Sequence, residues 1–594
     1  MSPSEALTTT NPYQLSSAQA EQPSLLAAWA RLKPFMAGEY SRLGVALFAT
    51  IISSTTGLLG PMIIARVVDV SIRNGDFAGV LRWSGLLLIL FIVGLIATYV
   101  QTLLMGKVGR YVLFNLRNGL FTKLQQLPLD FFNQNKAGDL ISRINNDTDK
   151  VNIFFAQALV QLTANVFFMT GAAIFLVTLN PRLGLAALAP AGAVLVLTKA
   201  TGSWVKRKNA ANLQALGGMS AEIQESVNNF RVIIAFNRVD YFRQQFEKAN
   251  ERNYGAAISA GLASNIYLPI YGLAHNLAQI IVLAYGFYLI SAGTATVGAL
   301  IGFLLYVNSV YMPLRQMAQI WSSFQLAMAS LDRISAVFRL EPNLPELPPQ
   351  PNRPGPVLAF ENVQFTYPGS TQSVLHNASF ALDAGKTYAL VGPTGGGKTT
   401  TASLMARLYD PTDGRVLLDG KDIRSATPAE RARKIGFILQ EPFLFTGSIR
   451  DNIVYGNPAL EKLSHDEVRE RLAAKNLLGL LARFEQGLDT AVTVGGVGVS
   501  LGQKQLVAFI RAVLREPEIL VLDEATANID TVTEQLLEEI LRALPASTTK
   551  VVIAHRLNTI ENADEIFFIN AGEITPAGSM HDALELLLHG RRIS

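Results

Sequence analysis

The stretch Val391-Gly392-Pro393-Thr394-Gly395-Gly396-Gly397-Lys398-Thr399-Thr400 fits the phosphate-binding loop pattern G-x-x-x-x-G-K-[ST] at every fixed position. Glycines allow successive backbone N–H groups to turn toward one anion. Lys398 would add positive charge for the β- and γ-phosphates, and the Thr399 hydroxyl can bind Mg²⁺. Residues 387–391 are typical of a short buried strand, and residues 399–408 of a helix. The stretch therefore predicts a nucleotide-phosphate site at a helix N-terminus.

A second signal is the apolar run Ile519-Leu520-Val521-Leu522, which ends in Asp523 and Glu524. A buried parallel strand would place Asp523 at its carboxyl end, where nucleotide sites form in open α/β sheets. Asp523 could hold Mg²⁺, and Glu524 could orient or polarise an attacking water. The structural alternative is an acidic pair at a strand end, which the phosphate loop upstream disfavours.

Composition points to a membrane protein of several domains. The chain has 594 residues, of which 49% are hydrophobic and 16% charged. A net charge of +4 gives no case for nucleic-acid binding, which usually needs a concentrated basic face. The chain has no cysteine, which excludes disulfides, thiolate metal sites and cysteine nucleophiles.

Six apolar segments are each long enough to cross a hydrocarbon core of about 30 Å. They lie near residues 43–70, 82–105, 155–178, 182–203, 260–290 and 297–322. The connections near 106–154 and 204–259 are long, rich in Lys and Arg, and helical in pattern. By the positive-inside rule, these connections and both termini are expected to be cytoplasmic, so the helices should extend well beyond the bilayer on that side.

The same survey predicts the domain organisation. Residues 1–24 are polar, which predicts a disordered tail. Residues 25–340 are predicted to form a membrane domain that begins with an interfacial helix over 25–40. Residues 341–356 are rich in proline and read as an extended linker. From residue 357 to 594, strands alternate with helices. The predicted fold is an α-helical six-span membrane domain fused to an α/β phosphate-loop domain.

These features together resemble an ABC exporter half-transporter, in which six membrane helices are fused to one ATP-binding-cassette domain. The resemblance covers nearly the whole chain after about residue 25 and points to the multidrug and lipid exporters. It implies ATP and Mg²⁺ as cofactors, a second half-transporter as partner, and a multi-pass location in a bacterial inner or plasma membrane.

The resemblance also assigns roles to further residues. Tyr367 would stack on adenine, Gln440 would contact Mg²⁺ and water, and His555 would reach the γ-phosphate. Ser500, Gly502 and Gln503 belong to a stretch similar to the signature motif, which would cap ATP bound to the opposite subunit. With Lys398 and Glu524, these residues form the expected hydrolytic site. Two loops resemble the coupling regions that dock on the cassette domains: the first lies around Phe131-Phe132 with 138–143 and Asp147, and the second around 235–242.

The chain departs from the family at the signature motif. Val499 and Leu501 replace leucine and glycine at its first and third positions, and Thr493-Val494-Gly495-Gly496 lacks the usual charged residue. With Glu524 intact, this combination resembles the catalytic-glutamate subunit of heterodimeric exporters. A heterodimer is therefore favoured, while a homodimer that tolerates a variant signature stays open.

Polar residues in the last two spans are candidates for a substrate chamber. Asn308, Tyr311, Arg315 and Gln319 recur at helical steps around Pro313, and His275 and Gln279 lie one turn apart. Polar groups at membrane depth usually face a cavity or another helix, so interhelical hydrogen bonding is the alternative.

The sequence thus predicts ATP-driven export of amphipathic small molecules or lipids. Import of a siderophore-like compound through the same fold, and a membrane regulator that binds ATP without turnover, are the rival functions. A soluble cassette protein is excluded by the six spans.

Overall fold

The computed structural model describes residues 13, 15, 32–341, 344, 346–351, 353–440, 442–496, 498–523, 531–553, 563–578 and 581–582. The chain divides into two compact units. The helical unit comprises Ser17–Leu124 and Gly138–Arg339, and the sheet unit comprises Met1–Ser16, Gln125–Ala137 and Leu340–Ser594. The residues Gln125–Ala137, which interrupt the helical unit in sequence, therefore pack with the sheet unit.

The first eleven α-helices precede the sheets. They are α1 (Tyr40–Arg66), α2 (Phe77–Gln125), α3 (Leu129–Gln134), α4 (Ala137–Ser142), α5 (Thr148–Ile153), α6 (Leu159–Leu179), α7 (Pro181–Asn228), α8 (Phe230–Ala235), α9 (Val239–Asn265), α10 (Tyr267–Ser291) and α11 (Val297–Arg339). Single π-helical segments at Val67–Ile72, Arg143–Asp147 and Phe154–Ala158 continue α1 and join α4 to α6.

Six helical segments within the described residues are long and apolar enough to cross a membrane, which confirms the predicted number of spans. They are Tyr40–Ile72, Phe77–Gln125, Ala137–Leu179, Pro181–Asn228, Val239–Ser291 and Val297–Arg339. With a rise of 1.5 Å per residue, the 49 residues of α2 are about 74 Å long, more than twice the thickness of a hydrocarbon core. The helical pattern predicted for the long polar connections is thus confirmed.

The core of the helical unit contains Tyr306 of α11, a residue that the sequence analysis did not single out. Tyr306 is fully buried, its ring stacks on Phe175 of α6 at 5.2 Å, and its hydroxyl donates to the carbonyl oxygen of Leu58 in α1 at 2.7 Å. One side chain therefore ties three helices together. The donated bond also satisfies a hydroxyl that would be costly to bury alone.

An ion-pair network joins the π segment Arg143–Asp147 to the end of α11. Asp147 is 1% exposed, accepts from Ser330 Oγ at 3.0 Å, and has Arg333 Nε 3.1 Å from its second oxygen. Arg333 also donates to Asp139 at 2.7 Å, and the buried Arg143 pairs with Asp139 at 2.9 Å. The 138–147 part of the first coupling region is thus fixed by contacts inside the helical unit.

Asp147→Ala is expected to destabilise the protein, because it removes the buried carboxylate that pairs with Arg333 and accepts from the buried Ser330 hydroxyl. Loss of one partner from a buried pair costs about 3 kcal/mol or more, and here the lower end applies because Arg333 is 43% exposed. The measurement is the apparent Tm of the purified protein in detergent. Asp149→Ala is the matched control, since the Asp149–Arg117 pair is exposed on both sides. Equal shifts for the two variants would contradict the assigned role of Asp147.

Every strand within the described residues lies in the sheet unit, together with the remaining helices. The strands are β1 (Leu358–Thr366), β2 (Ser373–Leu382), β3 (Thr387–Val391), β4 (Asp413–Leu418), β5 (Lys421–Asp422), β6 (Ile435–Ile438), β7 (Gly447–Ser448), β8 (Ala491–Val492), β9 (Ile519–Asp523), β10 (Thr549–Ile553), β11 (Glu565–Asn570) and β12 (Glu573–Pro576). The helices are α12 (Lys398–Met405), α13 (Pro428–Lys434), α14 (Ile449–Val454), α15 (Pro458–Glu461), α16 (His465–Ala474), α17 (Leu478–Leu481), α18 (Leu501–Val513) and α19 (Thr531–Ala543).

A six-stranded sheet of order β12-β11-β3-β10-β9-β6 positions the site. All its neighbouring strands are parallel except β11 and β12. Every residue of β9 is buried, as expected for a strand covered on both faces. Ile553 of β10 pairs with Leu390 of β3 and with Asp523 of β9, so these three strands end level with one another. The α/β prediction is therefore confirmed.

The structure differs from the sequence-based expectation at the end of α12 and at Tyr13. The helix after the phosphate loop ends at Met405, three residues before the predicted end, because Arg407 adopts a left-handed φ of 51° and pairs with Asp410 at 2.8 Å. In the segment expected to be a disordered tail, Tyr13 is only 4% exposed, so at this position the chain is packed rather than solvated.

The described residues of 341–356 form neither helix nor strand, and their backbone bonds to the sheet unit. The N–H of Leu347 donates to the carbonyl of Arg424 at 3.0 Å, and that of Arg353 to Asp419 at 3.2 Å. Of the expected interfacial helix over 25–40, the structure describes a 3₁₀ turn at Lys33–Met36 and the start of α1, and the rest lies outside the described residues.

Candidate nucleotide site

The phosphate loop follows β3 directly and is pressed against the backbone of β11. Gly392 has a φ of 149°, and a Cβ at this position would lie 1.9 Å from the carbonyl oxygen of Ile569. The N–H of Gly572 donates to the carbonyl of Gly396 at 3.1 Å, which ties the loop to the β11–β12 turn. Glycine is therefore required at residue 392 by a neighbouring strand as well as by the turning of the loop.

Lys398 opens α12 with its ammonium group inside the loop. The side chain is 6% exposed, and Nζ donates to the carbonyls of Gly392 at 2.9 Å and Pro393 at 3.0 Å. Thr399, beside it on the first turn of α12, is exposed. The loop thus combines a nearly buried cation, a helix N-terminus and an accessible hydroxyl, which is the set of groups that binds phosphates.

A cluster of three aromatic rings lies beside the loop. Tyr367 is half-buried, and its ring packs edgewise on Phe365 at 4.8 Å and on Tyr409 at 5.2 Å. Its hydroxyl lies 2.9 Å from Thr400 Oγ1, so the expected adenine-stacking residue is joined to the helix that carries Lys398. Burial raises the pKa of the Tyr409 hydroxyl, which stays protonated at neutral pH.

The other predicted residues line up along the same edge of the sheet. Asp523 is 3% exposed at the end of β9, level with Leu390 just before the loop. Gln440 is exposed and lies two residues past the end of β6, the neighbour of β9. Parallel strands bring their carboxyl ends together, so residues far apart in sequence meet at one edge. Glu524 directly follows Asp523, and His555 lies two residues past the end of β10; both lie outside the described residues.

The stretch 499–503 caps α18 at its N-terminus. The Ser500 hydroxyl accepts from the N–H of Gln503 at 3.2 Å, and Gln503 Oε1 accepts from the N–H of Ser500 at 2.9 Å, which is a complete capping box. Leu501 occupies the first helical position with its side chain 40% exposed, and Gly502 is half-buried. The leucine therefore leaves the backbone of this helix start intact and adds an apolar side chain at its surface.

Two family models match the chain in the order of its two regions. Residues 43–314 match the ABC transporter transmembrane region, and residues 375–527 match the ABC transporter model. The chain is 33% identical over 561 residues to the uncharacterized ABC transporter ATP-binding protein YfiC of Bacillus subtilis, covering 93% of this chain and 91% of the relative. The chain belongs to the ABC transporter family.

Other relatives have more informative names. The fatty acid ABC transporter ATP-binding/permease protein of Mycobacterium bovis is 32% identical, covering 86% of this chain and 80% of its own length. The ATP-dependent lipid A-core flippase of Thiobacillus denitrificans is 29% identical, covering 94% and 96%. The chain is thus a multi-pass membrane ABC transporter of the exporter type, and its nucleotide-binding domain couples ATP hydrolysis to transport.

The candidate chamber residues of this transporter occupy different environments. Asn308 is exposed and lines a cavity of about 340 Å³ between α6 and α11, together with Asn165 and Gln316, whose side chains hydrogen bond at 3.2 Å. Sequence reasoning missed Asn165 and Gln316, although a polar residue inside an apolar span was the available signal. Arg315 is exposed, and the side chain of Gln319 lies outside the described residues.

Tyr311 and His275 instead face each other across two helices. Tyr311 is 3% exposed, and its hydroxyl donates to the carbonyl oxygen of Ala187 in α7 at 2.9 Å. This is an interhelical hydrogen bond, the alternative that the sequence analysis gave to a chamber role. The ring of His275 lies 5.6 Å from that of Tyr311, and its Nδ1 is buried without a hydrogen-bond partner among the described residues. Gln279, one turn further along α10, is half-buried.

Proposed function

We propose that the chain exports amphipathic small molecules or lipids. A second cavity of the helical unit carries this proposal: it has a volume of about 750 Å³ and lies between α1 and α6. Its lining is apolar apart from the hydroxyls of Thr55, Thr163 and Thr170, and includes no charged side chain. This volume suits a drug-sized molecule or part of a lipid, and an uncharged wall favours apolar groups. The names of the fatty acid transporter and lipid A-core flippase relatives support the same class of cargo.

The site residues are proposed to act on ATP in distinct ways. Lys398 and the N-terminus of α12 would bind the phosphates, and Tyr367 would stack on adenine. Glu524 would orient and polarise the attacking water. Gln440 and His555 would position the water and the γ-phosphate.

The donors at this edge of the sheet suit Mg²⁺. Thr399 offers a hydroxyl, Asp523 a carboxylate and Gln440 an amide oxygen, and Mg²⁺ prefers oxygen ligands. Within the described residues no group of three or more acidic or histidine side chains could hold a metal by itself. Mg²⁺ at nucleotide sites is usually held by a few protein oxygens together with substrate phosphates. Bound there, Mg²⁺ would neutralise charge on the transferred phosphoryl group.

The proposed assembly is a dimer with a different half-transporter. ABC half-transporters typically dimerise, and the altered signature at Val499 and Leu501 is the feature that favours an unlike partner. The second coupling region has apolar side chains that the single chain leaves open: Phe236 is 74%, Val239 48% and Tyr241 51% exposed. A partner's cassette domain would cover them. We further propose that the cassette domain and both termini are cytoplasmic.

Proteoliposomes test cargo and direction together. The assembled transporter is reconstituted and Mg-ATP is added to the external medium. Only those molecules whose cassette domains face that medium can then bind ATP. We expect ATP-dependent movement of fluorescently labelled phosphatidylethanolamine or of ethidium from the outer leaflet or medium toward the lumen. Lys398→Ala serves as the inactive control. ATP-dependent release of preloaded probe would instead indicate import, and movement of neither probe despite active ATP turnover would contradict the proposed class of cargo.

Asn308→Ala and Gln279→Ala test the chamber assignment. If these side chains contact the cargo, each variant should lower the apparent affinity for a transported probe several-fold, the scale of one lost polar contact. The measurement is the probe concentration at half-maximal transport. Unchanged apparent affinity for both probes in both variants would contradict the assignment of Asn308 and Gln279 to the chamber.

A further inference from the structure

The N-terminal segment at Tyr13 and Leu15 is bound to the end of helix α3. Asn135, the C-cap residue directly after α3, donates from Nδ2 to the carbonyl oxygen of Tyr13 at 2.9 Å. Its Oδ1 accepts from the N–H of Leu15 at 3.2 Å. One amide side chain thus pairs with the backbone of the segment in both directions, as a neighbouring strand would.

The ring and hydroxyl of Tyr13 make further contacts in the sheet unit. The side chain is 4% exposed, and its hydroxyl lies 3.4 Å from the carbonyl oxygen of Glu341, where residues 341–356 begin. Burial, with the nearby Asp130 carboxylate of α3, raises the pKa of this hydroxyl. The segment therefore contacts both α3 and the chain that follows α11, although it precedes the region matched by the family models.

Helix α3 leads from this segment to the nucleotide site. Asn133 Nδ2 donates to the Tyr409 hydroxyl at 2.8 Å, and Gln134 Nε2 lies 3.5 Å from the carbonyl oxygen of Pro368. Tyr409 packs on Tyr367, whose hydroxyl contacts Thr400 two residues after Lys398. Every one of these residues belongs to the sheet unit. A continuous series of contacts therefore runs from Tyr13 to the phosphate loop.

We propose that Tyr13 and Asn135 are positioning residues for ATP binding: the N-terminal segment holds α3 so that Asn133 keeps the Tyr409–Tyr367 pair in place beside the phosphate loop. The inference concerns nucleotide affinity and is independent of which cargo moves and in which direction. It uses the site role proposed for Tyr367, and the measurements below separate the two.

Calorimetric titration with ATP in EDTA measures the effect without turnover. Asn135→Ala and Tyr13→Ala should each raise the Kd for ATP about two- to tenfold, the scale of one or two lost hydrogen bonds, with unchanged stoichiometry. The double variant should be no weaker than the weaker single variant, because both changes release the same segment. Tyr13→Phe keeps the ring and the backbone pairing, so its Kd for ATP should be close to that of the unchanged protein.

Asn135 Nδ2 also donates to the carbonyl oxygen of Phe131 in its own helix at 2.7 Å. Asn265→Ala is the matched control, because Asn265 Nδ2 makes the same kind of bond to the carbonyl oxygen of Gly261 at 3.0 Å and belongs to the other unit. Where Tyr13→Ala fails to fold, Asn135→Asp replaces it: a carboxylate can accept from Leu15 N–H but cannot donate to Tyr13. Unchanged Kd in both single variants, or effects that multiply in the double variant, would overturn the proposal.

Hydrogen exchange tests the contact itself. The amide of Leu15 should exchange slowly in the unchanged protein and rapidly in Asn135→Ala. Rapid exchange at Leu15 in the unchanged protein would also overturn the proposal. Tyr367→Ala is titrated in parallel: if its Kd is unchanged while Leu15 is protected, the proposed adenine contact fails and the positioning role, which acts through that contact, falls with it.

Discussion

Lys398→Ala is expected to lower kcat/KM for ATP by about 10² to 10³-fold, the loss seen when one preorganised charge stabiliser is removed. The ammonium group is nearly buried and lies within 3.0 Å of two loop carbonyls, so it is already held where phosphate would bind. A methyl group at this position leaves the anion without its nearest cation in a partly desolvated site. The measurement is ATP turnover of the reconstituted transporter.

Lys386→Ala removes the same charge from the same unit and is the control. Lys386 is 41% exposed, and it pairs with Asp383 and Glu565 at the start of β3, the opposite end from the loop. Its turnover should remain close to that of the unchanged protein. If Lys398→Ala retained turnover within threefold, the loop would not be the hydrolytic phosphate site.

Gly392→Ala should abolish measurable ATP binding and lower the apparent Tm. The added Cβ would lie 1.9 Å from the Ile569 carbonyl oxygen, a backbone atom of a central strand that cannot turn aside. The loop must then leave its position. A φ of 149° is also strained for alanine, which destabilises the native loop by about 1 to 3 kcal/mol. Binding is measured by calorimetry and stability by thermal unfolding.

Gly479→Ala is the control for a glycine replacement in this unit. Gly479 lies in α17, is exposed, and a Cβ there would meet no atom within 4 Å. Its Tm should be unchanged or slightly higher, because alanine favours the helix. Equal behaviour of the two variants would mean that β11 does not press on the loop.

Local patterns were enough to predict the elements that carry the nucleotide site. β3 has the predicted bounds, Thr387–Val391, because a short apolar run directly before a glycine-rich loop is typical of a buried strand. β9 is buried throughout, as its uninterrupted apolar run indicated. Six spans follow from segment length and hydropathy alone. Each of these features depends on residues close together in the chain.

Contacts between distant residues could not be predicted in this way. Asn308 and Tyr311 share one face of α11 by their spacing, yet the first is exposed and the second is buried against Ala187, because the neighbouring helices cover the face unevenly. The pairing of Arg333 with Asp147 joins two helices, and sequence periodicity gives no register between helices. The packing of Tyr13 depends on Asn135, which no local polarity pattern identifies.

We propose that this chain's phosphate loop and Glu524 hydrolyse ATP when they face a competent signature motif. The most direct test is ATP turnover of the chain alone in lipid, with and without the double change Val499→Leu and Leu501→Gly, and with Glu524→Gln in each background. We expect slow turnover for the unchanged chain and at least about tenfold faster turnover for the chain with the restored signature, and we expect Glu524→Gln to abolish the faster turnover. Fast Glu524-dependent turnover of the unchanged chain would assign a homodimer instead. Two results would contradict this proposal. One is ATP turnover of the restored chain that persists in Glu524→Gln, and the other is no ATP turnover by the restored chain although it is folded and binds ATP.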